Sequence, residues 1–251
     1  MDINAYLARI NYRGPLTPTA DTLRALHVAH LMTVPFENLD IPLGRPIVLN
    51  EVALFAKVVE RRRGGFCYEL NGLFATLLRA LGFKVDMLSA GVFNDAGQVS
   101  PDFDHMTLLV TLEQRWLADV GFGDSFREPL LLDATHEQPQ DGRAYRIDRD
   151  DAHLIVMQRE WDGVWKPQYR FTTQAYQFAD FEERCRFQQS SPDSSFIGRR
   201  ICTRATPEGR ITLSDLRLIT TVNGHKQERT LKDEGEYEAA LREHFGISLE
   251  L

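Results

Sequence analysis

The chain is poor in cysteine and has no long apolar run. Its three cysteines, Cys67, Cys185 and Cys202, cannot form an even set of disulfides and include no CxxC pair, which argues against a secreted disulfide framework and a structural zinc site. No apolar stretch approaches the roughly 20 residues of a membrane-spanning helix, and the first residues lack the pattern of a signal peptide. We therefore predict a cytoplasmic protein that binds no metal and no membrane.

The composition also disfavours nucleic acid as a partner, because the formal net charge is −7 and nucleic-acid-binding domains are typically basic. The 251 residues are enough for one compact unit or for two to three small domains. Helical patterns run to about Leu81, short strands dominate from Val85 to about Phe171, and strands and helices mix after that. Separate runs of helices and strands predict an α+β fold rather than a parallel α/β sheet.

One cysteine stands where a Gly-Gly turn leads into an amphipathic helix. Gly64 and Gly65 precede Cys67, and the apolar residues around it keep helical spacing as far as Gly82. The free N–H groups and the positive dipole of a helix start favour a thiolate, so we expect a lowered pKa for Cys67. The alternative is a small buried cysteine without chemistry. The apolar residues of the stripe are Phe66, Leu70, Leu73, Phe74, Leu77, Leu78 and Leu81.

A cysteine nucleophile needs a histidine base and usually a third group that orients the imidazole. Of the seven histidines, His27 and His30 lie three apart on a probable helix, a spacing that could suit a metal. No Cys or carboxylate of ligand spacing accompanies them, so they have the pattern of ordinary helix residues. His105 instead opens a strand-like run. A second strand follows and carries Asp119 among apolar neighbours. A buried acid needs a partner, and the ring N–H of a histidine suits it. His105 and Asp119 are therefore the candidate base and orienting acid.

The length of the hairpin loop between the two strands decides whether these side chains meet. A loop with an odd number of residues, centred on Glu113, would pair His105 with Gly121 and place Asp119 on the same face at a diagonal position. An even loop without a bulge would place the two side chains on opposite faces. Asp119 would then be an ordinary exposed residue of an edge strand. The catalytic hypothesis therefore predicts an odd loop.

Several segments of the chain together resemble the arylamine N-acetyltransferase family. They come in the family's order and span most of the chain. The resemblance implies that Cys67 is the acetyl-accepting nucleophile, His105 its base and Asp119 the orienting acid. It also implies acetyl-CoA as co-substrate, no metal, and an aromatic amine, hydrazine or hydroxylamine as the acceptor. The segments are Val34-Pro35-Phe36-Glu37-Asn38-Leu39, Arg63-Gly64-Gly65-Phe66-Cys67-Tyr68-Glu69-Leu70-Asn71, His105 before its strand, Ala118-Asp119-Val120-Gly121-Phe122-Gly123 and Ser191-Pro192-Asp193-Ser194-Ser195-Phe196.

The family resemblance implies a three-part architecture with a cysteine-protease-like Cys-His-Asp core. A helical bundle (residues 1–84) would carry the nucleophile, and a β-barrel (residues 85–178) would carry the histidine and the acid. A C-terminal α/β lid (residues 179–251) would complete the fold. The resemblance leaves the oligomeric state open.

Further residues of these segments are candidates for contacts around the site. Gly121 and Gly123 could bring bare backbone close to CoA, although a lone Gly-x-Gly is usually a turn. Arg63 and Glu37 are a candidate buried ion pair. Four apolar residues are candidate walls of a pocket for a flat ring, and each equally suits a plain core position. These four are Phe36, Val92, Phe122 and Phe196.

Three other functions fit the same residues. A transglutaminase-like enzyme or a cysteine protease would use the same triad on a peptide substrate. An amide synthase related to the acetyltransferases would close a polyketide chain onto its own aromatic amine. A binding module that keeps the fold would have an unreactive Cys67.

Overall fold

The computed structural model describes residues 1–159 and 162–249. No helix within these ranges is long and apolar enough to cross a membrane. Several helices are capped at their start by a side chain that accepts a backbone N–H of the first turn. The capping residues are Asp2, Thr19, Asn50 and Asp233. The α-helices are α1 (Ile3–Arg9), α2 (Ala20–Thr33), α3 (Glu51–Phe55), α4 (Cys67–Ala80), α5 (Glu182–Ser190) and α6 (Glu234–Ala240).

The strands of the described residues form two antiparallel sheets. The larger sheet has eight strands in the order β5-β4-β3-β2-β9-β8-β7-β6, and the smaller has five in the order β1-β10-β11-β12-β13. The strands are β1 (Phe36–Glu37), β2 (Lys84–Val92), β3 (His105–Thr111), β4 (Arg115–Ala118), β5 (Leu130–Leu131), β6 (Gln138–Gln140), β7 (Arg143–Asp150), β8 (His153–Arg159), β9 (Trp165–Tyr176), β10 (Ile201–Thr206), β11 (Gly209–Ser214), β12 (Arg217–Val222) and β13 (His225–Thr230).

Side-chain amides join the two edges of the eight-stranded sheet into a nearly closed barrel. Gln138 on β6 accepts the backbone N–H of Leu131 on β5 at 2.7 Å and donates to its carbonyl at 3.1 Å. Gln140 accepts the N–H groups of Arg127 and Glu128, each at 2.9 Å. These amides occupy the backbone groups that an unpaired edge would expose. The α+β prediction is therefore confirmed, with helices before and after a curled antiparallel sheet.

Helix α4 lies at the centre of the largest apolar cluster. It begins at Cys67, as its apolar spacing predicts, and eleven of its fourteen residues are buried. It packs on β2 and β3 of the barrel as well as on α1 and α3. The start of α4 is therefore held against the strand that begins at His105.

The smaller sheet crosses both predicted domain boundaries, at residues 84 and 178. β1 belongs to the predicted helical bundle, yet it pairs with β10 of the predicted lid, with Phe36 opposite Thr203. Within the described ranges, buried apolar side chains form three clusters, one around α4, one inside the barrel and one between the smaller sheet and α6. The division into three domains stays a prediction, and its last two residues lie outside the described ranges.

Candidate active site

The turn before Cys67 packs tightly on the segment that contains β1. A Cβ added to Gly64 would lie 2.0 Å from the carbonyl oxygen of Pro35, so no larger residue fits there without moving the backbone. The carboxylate of Glu69 accepts the backbone N–H of Phe66 at 3.0 Å and so caps the first turn of α4. The position of Cys67 is therefore set by backbone contacts on one side and a cap on the other.

A buried ionic cluster supports this turn. Arg63 donates to both carboxylate oxygens of Glu37, at 2.9 and 3.0 Å, which confirms the predicted ion pair. Lys57 lies 2.7 Å from Asp40 and 2.7 Å from Glu69. Burial raises the pKa of Glu69 to about 7 although Lys57 opposes the shift. Because each charge has a partner, the cluster can remain buried, and its members hold the main chain before and after Cys67.

Cys67 itself is 4% exposed, and its pKa shifts opposite to the prediction. Burial raises the pKa of the thiol well above its ordinary value, and a hydrogen bond from the backbone of Met106 opposes the rise. The negative charge of Asp119 raises it further. The helix-start argument was wrong in direction because it assumed a partly exposed sulfur. At this position burial therefore favours the thiol over the thiolate.

The hairpin has the odd loop that the catalytic hypothesis requires. Thr111 pairs with Arg115, and Leu108 pairs with Ala118, so three residues centred on Glu113 form the loop. The ring Nε2 of His105 lies 2.6 Å from Oδ2 of Asp119. Both side chains are nearly fully buried. The loop prediction is confirmed, and the structure brings these two residues into contact.

The contact with Asp119 occupies Nε2 of His105 and leaves Nδ1 for another partner. Because the carboxylate accepts a hydrogen bond, Nε2 carries a proton, and in the neutral ring the lone pair lies on Nδ1. Burial alone would raise the pKa of Asp119, but the charge of His105 and hydrogen bonds from His105, Asn71 and Gly121 lower it below its ordinary value. The acid therefore stays ionised and can stabilise an imidazolium.

Asn71 is a site residue that the sequence reasoning missed. Its amide nitrogen donates to Oδ1 of Asp119 at 2.9 Å and to the carbonyl of Met106 at 2.6 Å. Its amide oxygen accepts the backbone N–H of Val120 at 2.9 Å. A signal was available, because Asn71 lies one turn after Cys67 on the buried face of α4, where a polar residue is unusual.

Gly121 brings the strand end of Asp119 against the helix start of Cys67. A Cβ added to Gly121 would lie 2.7 Å from Cα of Cys67 and 2.8 Å from Nδ2 of Asn71. The need for glycine at this position therefore comes from contact with the candidate nucleophile. Gly123 has a φ of +94° and lies beside the ring of Phe36. A contact of either glycine with CoA stays a prediction.

The four predicted pocket residues fall into two groups. Phe36 and Phe196 lie together with ring centroids 6.3 Å apart. Phe122 packs on His105 with centroids 5.2 Å apart, and Val92 packs on the same apolar cluster inside the barrel. All four side chains are half-buried, so they lie at the edge of the core. Their role in holding a substrate ring stays a prediction.

The cavity beside the loop of Gly121 and Gly123 is small. It has a volume of about 10 Å³ and is lined by Phe36, Val120 and Arg210 among others. A larger cavity of about 280 Å³ is lined mainly by polar and charged side chains, Asp124 among them. Among the described residues, no group of three or more His, Cys, Asp and Glu side chains is placed to hold a metal ion.

Comparison with known proteins finds relatives in sequence and in fold. A sequence profile described as N-acetyltransferase matches residues 19–251. The arylamine N-acetyltransferase of Escherichia coli K12 is 36% identical over 99% of this chain and 89% of its own length. The solved structure of the Salmonella typhimurium enzyme superimposes with a TM-score of 0.93 at 33% identity, covering 99% of this chain and 92% of that one.

A second solved structure contains a bound ligand. It is the arylamine N-acetyltransferase of Mycobacterium marinum in complex with CoA, with a TM-score of 0.92 at 32% identity, covering 98% of this chain and 93% of that one. Sequence and fold therefore agree over almost the whole length. The chain belongs to the arylamine N-acetyltransferase family.

Proposed function

We propose that the protein transfers an acetyl group from acetyl-CoA to the nitrogen of arylamines, arylhydrazines or related amines through an acetyl-cysteine on Cys67. The observation that carries this proposal is the His105–Asp119 contact of 2.6 Å, in a segment whose Gly121 packs closely on Cα of Cys67 at the start of α4. The full-length match to arylamine N-acetyltransferases supports the donor and the acceptor. That match does not favour the amide synthase or the transglutaminase-like enzyme.

In the first half-reaction, Nδ1 of His105 takes the thiol proton of Cys67 while the sulfur attacks the thioester carbonyl. The thioester C–S bond then breaks, and CoA leaves with the proton from the imidazolium. The charge of Asp119 stabilises that imidazolium. The backbone N–H groups of Cys67 and Tyr68 begin α4, where N–H groups have no acceptor within the helix, and they are candidates to bind the carbonyl oxygen.

In the second half-reaction, the amine nitrogen attacks the acetyl carbon on Cys67, and His105 removes the amine proton. The C–S bond to Cys67 breaks, the thiol regains its proton, and the acetylated amine leaves. The proton taken from the amine replaces on Cys67 the proton that left with CoA, so the thiol is restored and the cycle is complete. Such an enzyme shows ping-pong kinetics.

Mass spectrometry of the protein after mixing with acetyl-CoA tests the proposal. We expect one acetyl group on the peptide of Cys67. The peptides of Cys185 and Cys202 are internal controls, because both cysteines are also buried and neither lies beside the His105–Asp119 pair. Cys67→Ala should lose acetyl transfer while keeping its unfolding temperature, and turnover in that variant would exclude the covalent route.

A further inference from the structure

His27 joins both ends of the loop that carries Asp119. This loop runs from Asp119 to Arg127 and contains Gly121, Phe122 and Gly123. His27 projects from α2, and its Nε2 accepts the backbone N–H of Asp119 at 2.9 Å. Its Nδ1 lies 2.7 Å from the carbonyl oxygen of Arg127. A single imidazole therefore contacts the main chain where the loop begins and where it ends.

The two contacts require one tautomer of His27. Nε2 faces an N–H donor and must carry a lone pair, whereas Nδ1 faces a carbonyl and must carry the proton. A protonated ring would set a second N–H against the N–H of Asp119. Burial lowers the pKa of His27 to about 4, which agrees with a ring that stays neutral. In His105 it is Nε2 that donates, because this nitrogen contacts the carboxylate of Asp119, whereas in His27 Nε2 accepts.

The ring of His27 cannot easily turn away from these partners. It is fully buried and stacks on Phe126 with centroids 5.9 Å apart and planes 13° apart. Phe74 packs on the same imidazole in a T-shaped arrangement, with ring centroids 6.1 Å apart. Phe74 belongs to α4, the helix that begins at Cys67. Packing from the loop and from the helix of the nucleophile therefore holds the imidazole in place.

We infer that His27 is a positioning residue for the acid: as a neutral hydrogen-bond acceptor it fixes the main chain of Asp119, so that the carboxylate faces His105. This inference rests on the proposed function, because it assigns His27 a purpose in that reaction. The loop needs such a support because Gly121 and Gly123 place few conformational limits on its backbone. Side-chain bonds to Asp119 hold the carboxylate, and His27 holds the peptide to which it is attached.

Three substitutions separate the two contacts of His27. In His27→Gln the amide oxygen can take the place of Nε2 and accept the N–H of Asp119. In His27→Asn the amide nitrogen can take the place of Nδ1 and donate to Arg127, but the side chain is too short to reach Asp119. His27→Phe keeps a ring and removes both bonds. His30→Gln is the matched control, because His30 is a buried imidazole on the same helix that contacts Tyr6 instead of the loop.

The measurement is the rate at which iodoacetamide alkylates Cys67, followed across pH, together with the unfolding temperature, kcat and KM. Loss of a supporting partner around a site typically costs about 10-fold to 100-fold. We expect His27→Asn and His27→Phe to alkylate at least about tenfold more slowly at neutral pH, with the profile moved to higher pH. His27→Gln should stay close to wild type, and His30→Gln should leave the profile in place even if it lowers the unfolding temperature. The loss should appear in kcat more than in KM.

Three results would overturn the inference. They are a wild-type alkylation profile in His27→Phe, an equal shift in His30→Gln, and a normal profile in His27→Asn combined with a shifted one in His27→Gln. If His27→Phe does not fold, the comparison of His27→Gln with His27→Asn still decides. Alkylation needs no acetyl-CoA, so a wild-type protein that fails to accept acetyl would contradict the proposed function without affecting this test.

Discussion

Replacing Gly121 by alanine tests how closely the loop that carries Asp119 approaches the backbone of Cys67. The added Cβ would lie 2.7 Å from Cα of Cys67, whereas ordinary contacts begin at 3.4 Å. The two segments must therefore separate by about 0.7 Å, the difference between these distances. Both neighbours are fixed, since Cys67 begins a buried helix and Asn71 is held by three hydrogen bonds. The displacement cannot be absorbed by a flexible side chain.

The expected loss of activity follows from this distance. A misplacement of about 1 Å in a catalytic arrangement can cost roughly a hundredfold in rate, which corresponds to about 2.7 kcal/mol of transition-state stabilisation. Overpacking in a filled core costs about 1–3 kcal/mol of folding stability. We therefore expect Gly121→Ala to fold with a lowered unfolding temperature and to lose kcat/KM by roughly a hundredfold.

The assay is steady-state acetylation of an arylamine with acetyl-CoA, combined with urea unfolding. Gly97→Ala is the control, because Gly97 has a φ of +75° and a Cβ there meets nothing within 4 Å. That variant should lose about 1 kcal/mol of stability from backbone strain alone and keep its activity. Wild-type kcat/KM and wild-type stability in Gly121→Ala would refute the reasoning, because the approach would then not be tight.

Further predictions concern the ionic cluster and the acid's amide partner. Lys57→Met should cost about 3–5 kcal/mol in urea unfolding, because it leaves the buried carboxylates of Asp40 and Glu69 without their shared cation. The pKa of Glu69 is raised by burial to about 7, so its contribution to stability is complete below the unfolded pKa near 4.5 and is lost as the pH rises toward 7. Unfolding free energies between pH 5 and 8 should therefore fall by up to about 3 kcal/mol, and Glu69→Gln should flatten that decline. Asn71→Ala should lower kcat by about tenfold or more with little change in KM, whereas a raised KM alone would contradict its role beside Asp119.

The sequence was sufficient where a short pattern determines the geometry. Two glycines and an apolar stripe predict a helix that begins at Cys67, and it does. The parity of the hairpin loop predicts which face Asp119 shares, because side chains alternate strictly along a strand. Both predictions depend on residues that are neighbours in the chain. Local spacing therefore fixes where Cys67 stands and, once the loop length is known, which way Asp119 points.

The sequence was insufficient where a property depends on distant parts of the chain. His27 has the pattern of an ordinary helix residue. Its partners cannot be read from the sequence, because they lie 92 and 100 positions away. The direction of the pKa shift of Cys67 depends on how completely the folded protein covers the sulfur. A helix start contributes a modest effect that falls off within its first turn, whereas complete burial can shift a pKa by several units. The sign was therefore set by tertiary packing.

The raised pKa of Cys67 gives a physical reason why, in the proposed reaction, Asp119 would act on the sulfur through His105 and not directly. The negative charge of Asp119 opposes ionisation of the thiol, so an acid alone beside the cysteine would slow its attack. In the proposed mechanism the same charge acts through the ring of His105, which it contacts directly at 2.6 Å, and direct hydrogen bonds to a buried charge are among the stronger ones. The acid is therefore useful only while the imidazole accepts the proton. In the proposed mechanism the proton therefore moves to Nδ1 as the sulfur attacks, and we expect the contacts that hold Asp119 in line with His105 to contribute to the rate.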